Sequence, residues 1–198
     1  LGSDIWVWGH VPGARSLLRR VLRGASRCYA DGYQLAADTQ NIAQRPVRFL
    51  PSTRAIGQGP RKALKAGPPY RLLFLGRWHP NKGVDILLDA LWLLPDSAWD
   101  RIEGIEIFGG GPLEPTVRTQ VKRLQQLCRP VALGGYLAKP EAEAALRRAD
   151  YLLLPSRIES IPVVFSDAVK LGCAVISTPV GDLPRLHGEA PVGKISHT

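Results

Sequence analysis

The sequence predicts an α/β protein in which a parallel β-sheet carries helices on both faces. From residue 71 onward, short apolar runs alternate with amphipathic segments of about ten to fifteen residues, which is the pattern of repeated βαβ units. The apolar runs are nearly continuous, as expected for strands that are buried on both faces. A third observation is that glycine or charged residues follow each run, where a parallel sheet gathers its loops at one edge.

The predicted elements alternate in order along this part of the chain. The strands are RLLFLG, GIEIFG, PVALGG, DYLLLPS and CAVIST, and APVGKIS begins a sixth. The helices between them are NKGVDILLDALWLL, PLEPTVRTQVKRLQQLC, KPEAEAALRRA and PVVFSDAVKLG. Apolar residues recur at helical spacing; in the second helix they are Leu113, Val117, Val121, Leu124 and Cys128. Pro162 stands near the first position of the fourth helix, where proline is favoured.

Residues 1–56 follow a different pattern and predict the end portion of a second α/β domain. IWVW is predicted as the end of a strand, GARSLLRRVLRGASR as a basic amphipathic helix, and CYA, DGYQLAADTQNIA and VRFLP as strand, helix and strand. Residues 57–69 are basic and rich in glycine and proline, and we predict a linker there. Residues 70–198 then form the second unit. Because the chain begins with Leu and contains no Met, we expect a fragment of a longer protein, with a processed or tagged protein as the alternative.

Composition and charge limit the class of protein and its partners. Apolar content is 45% and charged content 22%, as in ordinary globular proteins, and no apolar run approaches the length of a membrane span. The net charge of +9 is compatible with nucleic acid, an anionic membrane face or phosphorylated ligands. The three cysteines are far apart and form no CxxC motif, so we predict neither a disulfide framework nor a zinc site. We expect the protein to work in a reducing cytosol. Cys128 and Cys173 are expected to pack as small apolar residues.

The basic helix around residues 15–27 has two interpretations. Arginines surround an apolar face made of Leu17, Leu18, Val21 and Leu22, which would allow peripheral contact with a membrane surface. The alternative is a surface helix that packs on its own domain and keeps its arginines in water. Nucleic-acid binding is not predicted, because this segment contains no interleaved aromatic residues.

Each predicted strand is followed by a segment that carries glycine or charged residues. Because all strands of a parallel sheet point the same way, these segments are expected to meet at its carboxyl edge, where ligands of such sheets bind. The residues gathered there are Gly76, Arg77, His79, Lys82, Gly109, Gly110, Gly111, Gly134, Gly135, Tyr136, Ser156, Arg157, Glu159, Ser160, Thr178, Gly181 and Asp182.

This edge has the groups needed to bind an anion that carries hydroxyls. Arg77 offers a forked positive charge and Lys82 a point charge for phosphate oxygens. Glycines let the backbone come close, and helix N-termini direct N–H groups at negative charge. Glu159 can accept hydrogen bonds from sugar hydroxyls, and Asp167 can do the same for a ribose if its helix face is turned to the cleft. A nucleotide-sugar requires this set of groups.

Each of these residues also has a simpler interpretation. Arg77 and Lys82 can be solvated loop charges, Glu159 can merely favour the nearby helix N-terminus, and Asp167 can be an exposed helical acid. The GGGP segment matches only part of a GxGxxG fingerprint, because Glu114 stands at its third position. No Ser-His-Asp arrangement and no metal-ligand cluster is visible in the sequence, so no metal site is predicted. The prediction of a nucleotide-sugar site therefore depends on the combination of these residues at one edge of the sheet.

The ordered set of motifs resembles the donor-binding, C-terminal half of the group-1 retaining glycosyltransferases of the GT-B fold, similar to family 4. The motifs are LLFLGRWHPNKGVDILLDAL, IFGGGP, GGYL and PSRIESIPVVFSDAVKLGCAVISTPVGDLP, and they cover residues 70–195. LGSD and FLPS in residues 1–56 are similar to the last part of the acceptor-side domain of that family. The resemblance implies two Rossmann-like domains that face each other across a cleft, with the nucleotide-sugar mainly on the second.

The resemblance also implies a role for each candidate residue. Arg77 and Lys82 would hold the diphosphate and stabilise it as the leaving group, Glu159 would bind hydroxyls of the transferred sugar, and Asp167 would bind the ribose. The family usually has Glu where this chain has Asp167, whose side chain is one methylene shorter and therefore reaches less far toward the ribose. The resemblance also implies that the backbone near Tyr136 and Leu137 frames the base. The other donor-side residues that it implies are Gly76, Gly110, Gly111, Ser160 and Ile161.

On the acceptor side, Gly2 to Asp4 would lie in a loop that faces the cleft. The implied activity is a hexosyltransferase type of reaction with retention, without a metal or other cofactor. Its partners would be a UDP- or GDP-sugar donor and a saccharide or lipid-linked acceptor, in the cytoplasm or peripherally on the inner membrane face. The alternatives are a nucleotide-sugar epimerase or hydrolase of related fold, or a non-catalytic basic module that binds a membrane or nucleic acid.

Overall fold

The first unit of the chain contains a small parallel sheet and the helices around it. The computed structural model describes residues 2–57, 59, 63, 65–189 and 193–195. Strand β1 (Tyr29–Ala30) pairs in parallel with strand β2 (Arg48–Phe49). The helices of this unit are α1 (Gly2–Trp6), α2 (Pro12–Gly24) and α3 (Tyr33–Ala43). The basic helix, both short strands and the helix between them are therefore confirmed.

The segment IWVW is helical, so the predicted strand end is wrong. It lies in α1 and in a 3₁₀ turn over Trp8–His10. Ile5 and Gly9 are both buried, and a Cβ on Gly9 would lie 2.8 Å from Cδ1 of Ile42 in α3. Positions four residues apart lie on one face of a helix, and this face packs against α3. Gly2 and Asp4 also lie in helix α1, so the predicted loop at these residues is wrong.

The second unit contains a six-stranded, entirely parallel sheet. Its strand order is β5-β4-β3-β6-β7-β8, which is the doubly wound order of nucleotide-binding sheets. The α/β prediction and all six strands are confirmed. The strands are β3 (Tyr70–Arg77), β4 (Ile102–Gly110), β5 (Val131–Gly134), β6 (Tyr151–Leu154), β7 (Ala174–Ser177) and β8 (Gly193–Ile195).

Helices cover both faces of this sheet and form two hydrophobic cores. Apolar side chains of α4 and α6 pack on one face around the buried Trp78, and those of α7 and α8 pack on the other around Phe165. The sequence patterns did not predict α5 and α9. Within the described residues, every helix is too short or too polar to cross a bilayer. The helices are α4 (Val84–Trp92), α5 (Asp96–Trp99), α6 (Glu114–Gln126), α7 (Lys139–Arg148), α8 (Val163–Leu171) and α9 (Leu183–Glu189).

Two cysteines that the sequence placed in the core behave differently. Cys173 is 2% exposed, as expected. Cys128 is exposed, so its predicted packing is wrong. The helix ends at Gln126, and Cys128 has a φ of 56°, a left-handed conformation that takes it off the apolar face.

The segment that joins the units already lies on the second unit before the predicted linker begins. Lys170 of α8 donates a hydrogen bond to the carbonyl of Arg54 at 2.8 Å. Gly57 donates its N–H to Glu143 of α7 and accepts from Arg147, both at 2.9 Å. Of the predicted linker, residues 58, 60–62 and 64 lie outside the described residues.

Candidate active site

The centre of the candidate site is the point where the strand order of the sheet reverses. β3 and β6 are neighbours, but the strands that follow each of them lie on opposite sides. The carboxyl ends of the two strands open into a cavity of about 360 Å³, which lies within the size range of small-molecule sites. Its lining includes Gly76 at the end of β3, Ser156 and Ile161 after β6, and Val163 and Val164 at the start of α8.

Two oppositely charged side chains of the predicted set meet in this cavity. Nζ of Lys82 forms an ion pair with Oε2 of Glu159, and the side chains are 37% and 14% exposed. Lys82 ends a 3₁₀ turn, and Gly83 follows it with a φ of 68°. A Cβ on Gly83 would lie 1.8 Å from the carbonyl oxygen of Pro155, so glycine is required where the two loops cross. The turn thereby brings Lys82 against the loop that carries Glu159.

Arg157 fastens that loop to the turn after β3. Its guanidinium makes two hydrogen bonds of 2.8 Å with the Asp85 carboxylate in the first turn of α4, and one of 2.8 Å with the carbonyl of Pro80. Its own N–H donates to the carbonyl of Asn81 at 2.9 Å. The hydrogen bond from Arg157 lowers the pKa of Asp85, which keeps the carboxylate charged. Arg157 therefore sets the position of Glu159 relative to Lys82.

Arg77 lies at the rim, outside the lining of this cavity. It is the last residue of β3 and is exposed, and its Cγ lies 3.3 Å from where a Cβ on Gly111 would be. Gly109 and Gly111 have φ values of 149° and 147°, and a Cβ on Gly109 would lie 1.9 Å from the carbonyl oxygen of Gly76. Glycine therefore lets the end of β4 and the residue after it lie close against the end of β3.

Tyr136 and Leu137 follow β5 on the same edge of the sheet. The Tyr136 hydroxyl donates to the carbonyl of Gly110 at 2.7 Å, and a Cβ on Gly110 would lie 2.7 Å from the ring. The ring is 70% exposed, whereas Leu137 packs on the core beside α7 and α8. Tyr136 therefore contacts the glycine segment and does not line the cavity.

Asp167 is buried, which the sequence did not predict. Its side chain is 3% exposed, and Oδ2 accepts hydrogen bonds from Nε of Arg54 at 3.0 Å and from Nη2. Its other oxygen, Oδ1, is buried without a hydrogen-bond partner among the described residues. Asp167 lies one turn beyond Val163 and Val164, which line the cavity, so it is close to the site but outside its lining.

The first unit contributes a carboxylate that sequence reasoning missed. Asp31 follows β1 and lines the same cavity as Lys82 and Glu159. The Ser52 hydroxyl donates to Oδ2 of Asp31 at 3.3 Å, and Oδ1 is buried without a partner among the described residues. The signal was present, because Asp31 follows a strand as the other site residues do, but that strand has only two residues.

A second contact across the cleft surrounds Ser160. Its side chain is buried, and a Cβ on Gly32 of the first unit would lie 2.1 Å from its Oγ. Asp182, after β7, accepts the N–H of Gln34 at the start of α3 at 3.2 Å. The two units therefore meet directly at the loops that carry Ser160 and Asp182.

No group of three His, Cys, Asp or Glu side chains suited to a metal ion occurs within the described ranges. His79 uses Nδ1 to accept the N–H of Asn81 at 3.1 Å within its own turn. The absence of a metal requirement stays a prediction.

Several proteins of known name or structure are similar to this chain. D-inositol 3-phosphate glycosyltransferase of Jonesia denitrificans is 35% identical over 131 residues, which cover 64% of this chain and 31% of that protein. The putative teichuronic acid biosynthesis glycosyltransferase TuaC of Bacillus subtilis is 27% identical, over 95% of this chain and 48% of that protein. The chain therefore spans about a third to a half of the length of these relatives.

Solved structures share the fold of most of this chain. Anabaena Alr3699/HepE, crystallised with UDP-glucose, superposes with a TM-score of 0.73 at 17% identity, over 99% of this chain and 57% of that one. WaaG, a glycosyltransferase of lipopolysaccharide biosynthesis, superposes with a TM-score of 0.69 at 21% identity, over 87% and 50%. At these identities the likeness establishes the GT-B fold.

The family itself is established by sequence. The model of the family described as glycosyl transferases group 1 matches residues 69–193, which is more than half of the chain and includes strands β3 to β7 of the larger sheet. On this match the chain belongs to the group-1 glycosyl transferases.

Proposed function

We propose that this chain is the donor-binding part of a hexosyltransferase that uses a nucleotide-diphosphate sugar, retains the configuration of the sugar and needs no metal or other cofactor. The observation that carries the proposal is the Lys82–Glu159 pair, which stands in a cavity at the switch point of a doubly wound sheet. A cation and a carboxylate at that place suit a ligand with both phosphates and sugar hydroxyls. Membership of the glycosyl transferases favours transfer over the epimerase, hydrolase and non-catalytic alternatives.

Each charged residue of the site would bind a different part of the donor. Lys82, with Arg77 at the rim, would bind the diphosphate, and Glu159 would accept hydrogen bonds from the transferred sugar. Asp167 would bind the ribose after one of its hydrogen bonds with Arg54 breaks. Gly76, Gly110 and Gly111 would let the backbone approach the phosphates, and the backbone at Tyr136 and Leu137 would frame the base. Ser160 and Ile161 would line the sugar end of the site.

The transfer reaction exchanges one bond for another at the anomeric carbon. The bond from that carbon to the β-phosphate oxygen breaks, and a bond to the acceptor oxygen forms on the same face. The acceptor hydroxyl loses its proton, which the departing phosphate oxygen takes up. Negative charge develops on the diphosphate as it leaves, so Lys82 and Arg77 would stabilise the transition state more than the ground state.

Two crystal structures of one similar protein support a UDP-sugar as the first donor to test. Anabaena HepE has the same fold and was crystallised with UDP-glucose, and in separate crystals with UDP. A GDP-sugar stays the second possibility, because base selectivity depends on the loop near Tyr136. A saccharide or lipid-linked acceptor and a cytoplasmic location are the corresponding proposals for the rest of the reaction.

A thermal-shift panel of UDP, GDP, ADP and their sugars tests the donor site. A ligand that binds only the folded state raises the melting temperature by mass action. We expect one nucleotide family to raise it in the wild type, and the shift to be lost in Lys82→Ala and reduced in Arg77→Ala. Lys122→Ala is the matched control, since Lys122 is exposed on α6 and lines no part of the cavity. A folded protein that responds to none of these ligands would refute the proposal.

The basic helix α2 supports a further proposal, peripheral contact with an anionic membrane. Leu18 and Leu22 pack on the first unit, but Leu17 and Val21 are 63% and 62% exposed beside Arg20. Exposed apolar residues flanked by arginine suit an anionic lipid surface. Co-sedimentation with vesicles should then require anionic lipid and fall in Leu17→Glu; equal binding to neutral vesicles, or none, would exclude this contact.

A further inference from the structure

We propose that a second cavity binds an uncharged saccharide acceptor against the indole ring of Trp6; the inference rests on the proposed transfer function. This cavity has a volume of about 370 Å³ and lies between the two units. Trp6 and Gln34 line it from the first unit, and Arg157, Glu159 and Gly181 are among the residues that line it from the second.

The two cavities are adjacent because they share a side chain. Glu159 lines the cavity that holds Lys82 and also the cavity that holds Trp6. Glycosyl transfer requires the acceptor hydroxyl to meet the anomeric carbon of the donor at close range. A cavity that begins at the carboxylate proposed to bind the donor sugar is therefore placed for the acceptor.

The wall formed by the first unit is held rigid by one carboxylate. Asp38 of α3 accepts a hydrogen bond from Nε1 of Trp6 at 2.8 Å and two from Nε2 of Gln34 at 3.0 and 3.1 Å. The N–H of Gln34 is bound by Asp182 of the second unit at 3.2 Å. Side chains that are fixed before binding lose little conformational freedom when a ligand arrives. The indole and the amide therefore form a prepared surface.

The chemistry of this surface selects a neutral sugar. An indole ring offers a flat apolar face that packs against the C–H face of a pyranose, and the Gln34 amide oxygen can accept a hydroxyl hydrogen. Arg157, the cation among the described lining residues, has both of its terminal nitrogens bound to Asp85. Because that charge is already neutralised, the cavity offers no free cation for a phosphate group in its described lining.

Saturation-transfer NMR on the UDP-saturated chain tests the inference. The probes are methyl α-glucoside, methyl α-galactoside, methyl α-mannoside and N-acetylglucosamine, each with its 6-phosphate as the charged counterpart. We expect at least one neutral sugar to bind, with affinity lowered about tenfold in Trp6→Ala and less in Trp6→Phe, which keeps an aromatic face. UDP affinity should not change in either variant. Trp8→Ala is the matched control, because Trp8 is 56% exposed and lines neither cavity.

The possible outcomes separate the two proposals. If the folded wild type binds none of UDP, GDP and ADP, the proposed function itself is removed. If UDP binds but no neutral sugar does, if the 6-phosphates bind more tightly, or if Trp6→Ala leaves sugar affinity unchanged, the acceptor inference is overturned. Trp6 also packs on the core of the first unit, so Trp6→Ala can unfold it. Gln34→Ala then decides, because Gln34 is exposed: sugar affinity should fall while the melting temperature stays near that of the wild type.

Discussion

Arg54→Ala should destabilise the protein because it leaves the buried carboxylate of Asp167 without its cation. Removing one partner of a fully buried ion pair costs about 3–5 kcal/mol. The Asp167 side chain is 3% exposed, but the Arg54 side chain is 46% exposed, so water screens part of the interaction. We therefore expect a loss of about 1–3 kcal/mol in the free energy of unfolding. Asp167→Asn should lose less, because it removes the buried charge together with the contact.

Urea unfolding at neutral pH measures this loss from the midpoint and the slope. The double variant completes a cycle, and direct contact predicts a coupling of about 1 kcal/mol or more between the two substitutions. Arg71→Ala is the control, since Arg71 pairs with Glu103 on the surface, where both side chains are accessible. The reasoning fails if Arg54→Ala costs no more than Arg71→Ala, or if the effects of the two substitutions simply add.

Two further predictions concern the same unit. Gly181→Ala should lower the free energy of unfolding by about 1–2 kcal/mol or more and weaken donor binding. The reason is that Gly181 has a φ of 53° and its Cβ would lie 2.1 Å from the carbonyl oxygen of Glu159. Gly135→Ala is the control, because Gly135 has open space around it, and it should change neither stability in urea nor UDP-glucose affinity. Burial lowers the pKa of His187 below its ordinary 6.5, so the folded state disfavours the imidazolium and stability should fall as pH drops below that value. Melting temperatures between pH 7 and 5 should depend less on pH in His187→Gln, whereas the exposed His10→Gln should retain the wild-type profile.

The second unit could be predicted from sequence because its pattern is strong and repeated. Runs such as LLFL and YLLL are apolar throughout, since both faces of a parallel strand are covered, and each of the strands β3 to β7 is followed by a segment with glycine or charged residues. The first unit gave a weaker signal. IWVW is short and rich in residues that favour strands, but it lies in a helical segment whose Ile5 and Gly9 pack against α3.

The candidate site could be predicted only as a set of residues at one edge of the sheet. Lys82 and Glu159 were expected there and form a pair, but no pattern indicates that Arg54 binds Asp167, which is 113 positions away. Asp31 was missed because the strand before it is short. Such contacts arise from tertiary packing, which a periodicity argument does not contain.

The pairing of Lys82 with Glu159 has a consequence for which ligands this site binds. An ion such as pyrophosphate that draws Lys82 away leaves the carboxylate, which is 14% exposed, without a counter-charge. A molecule that carries phosphates and hydroxyls together satisfies both partners as it separates them. The ion pair therefore favours binding of the complete donor over binding of its fragments. Pyrophosphate should bind far more weakly than its share of the donor's charge suggests, and Glu159→Gln should remove that discrimination, as a competition titration against UDP-glucose would measure.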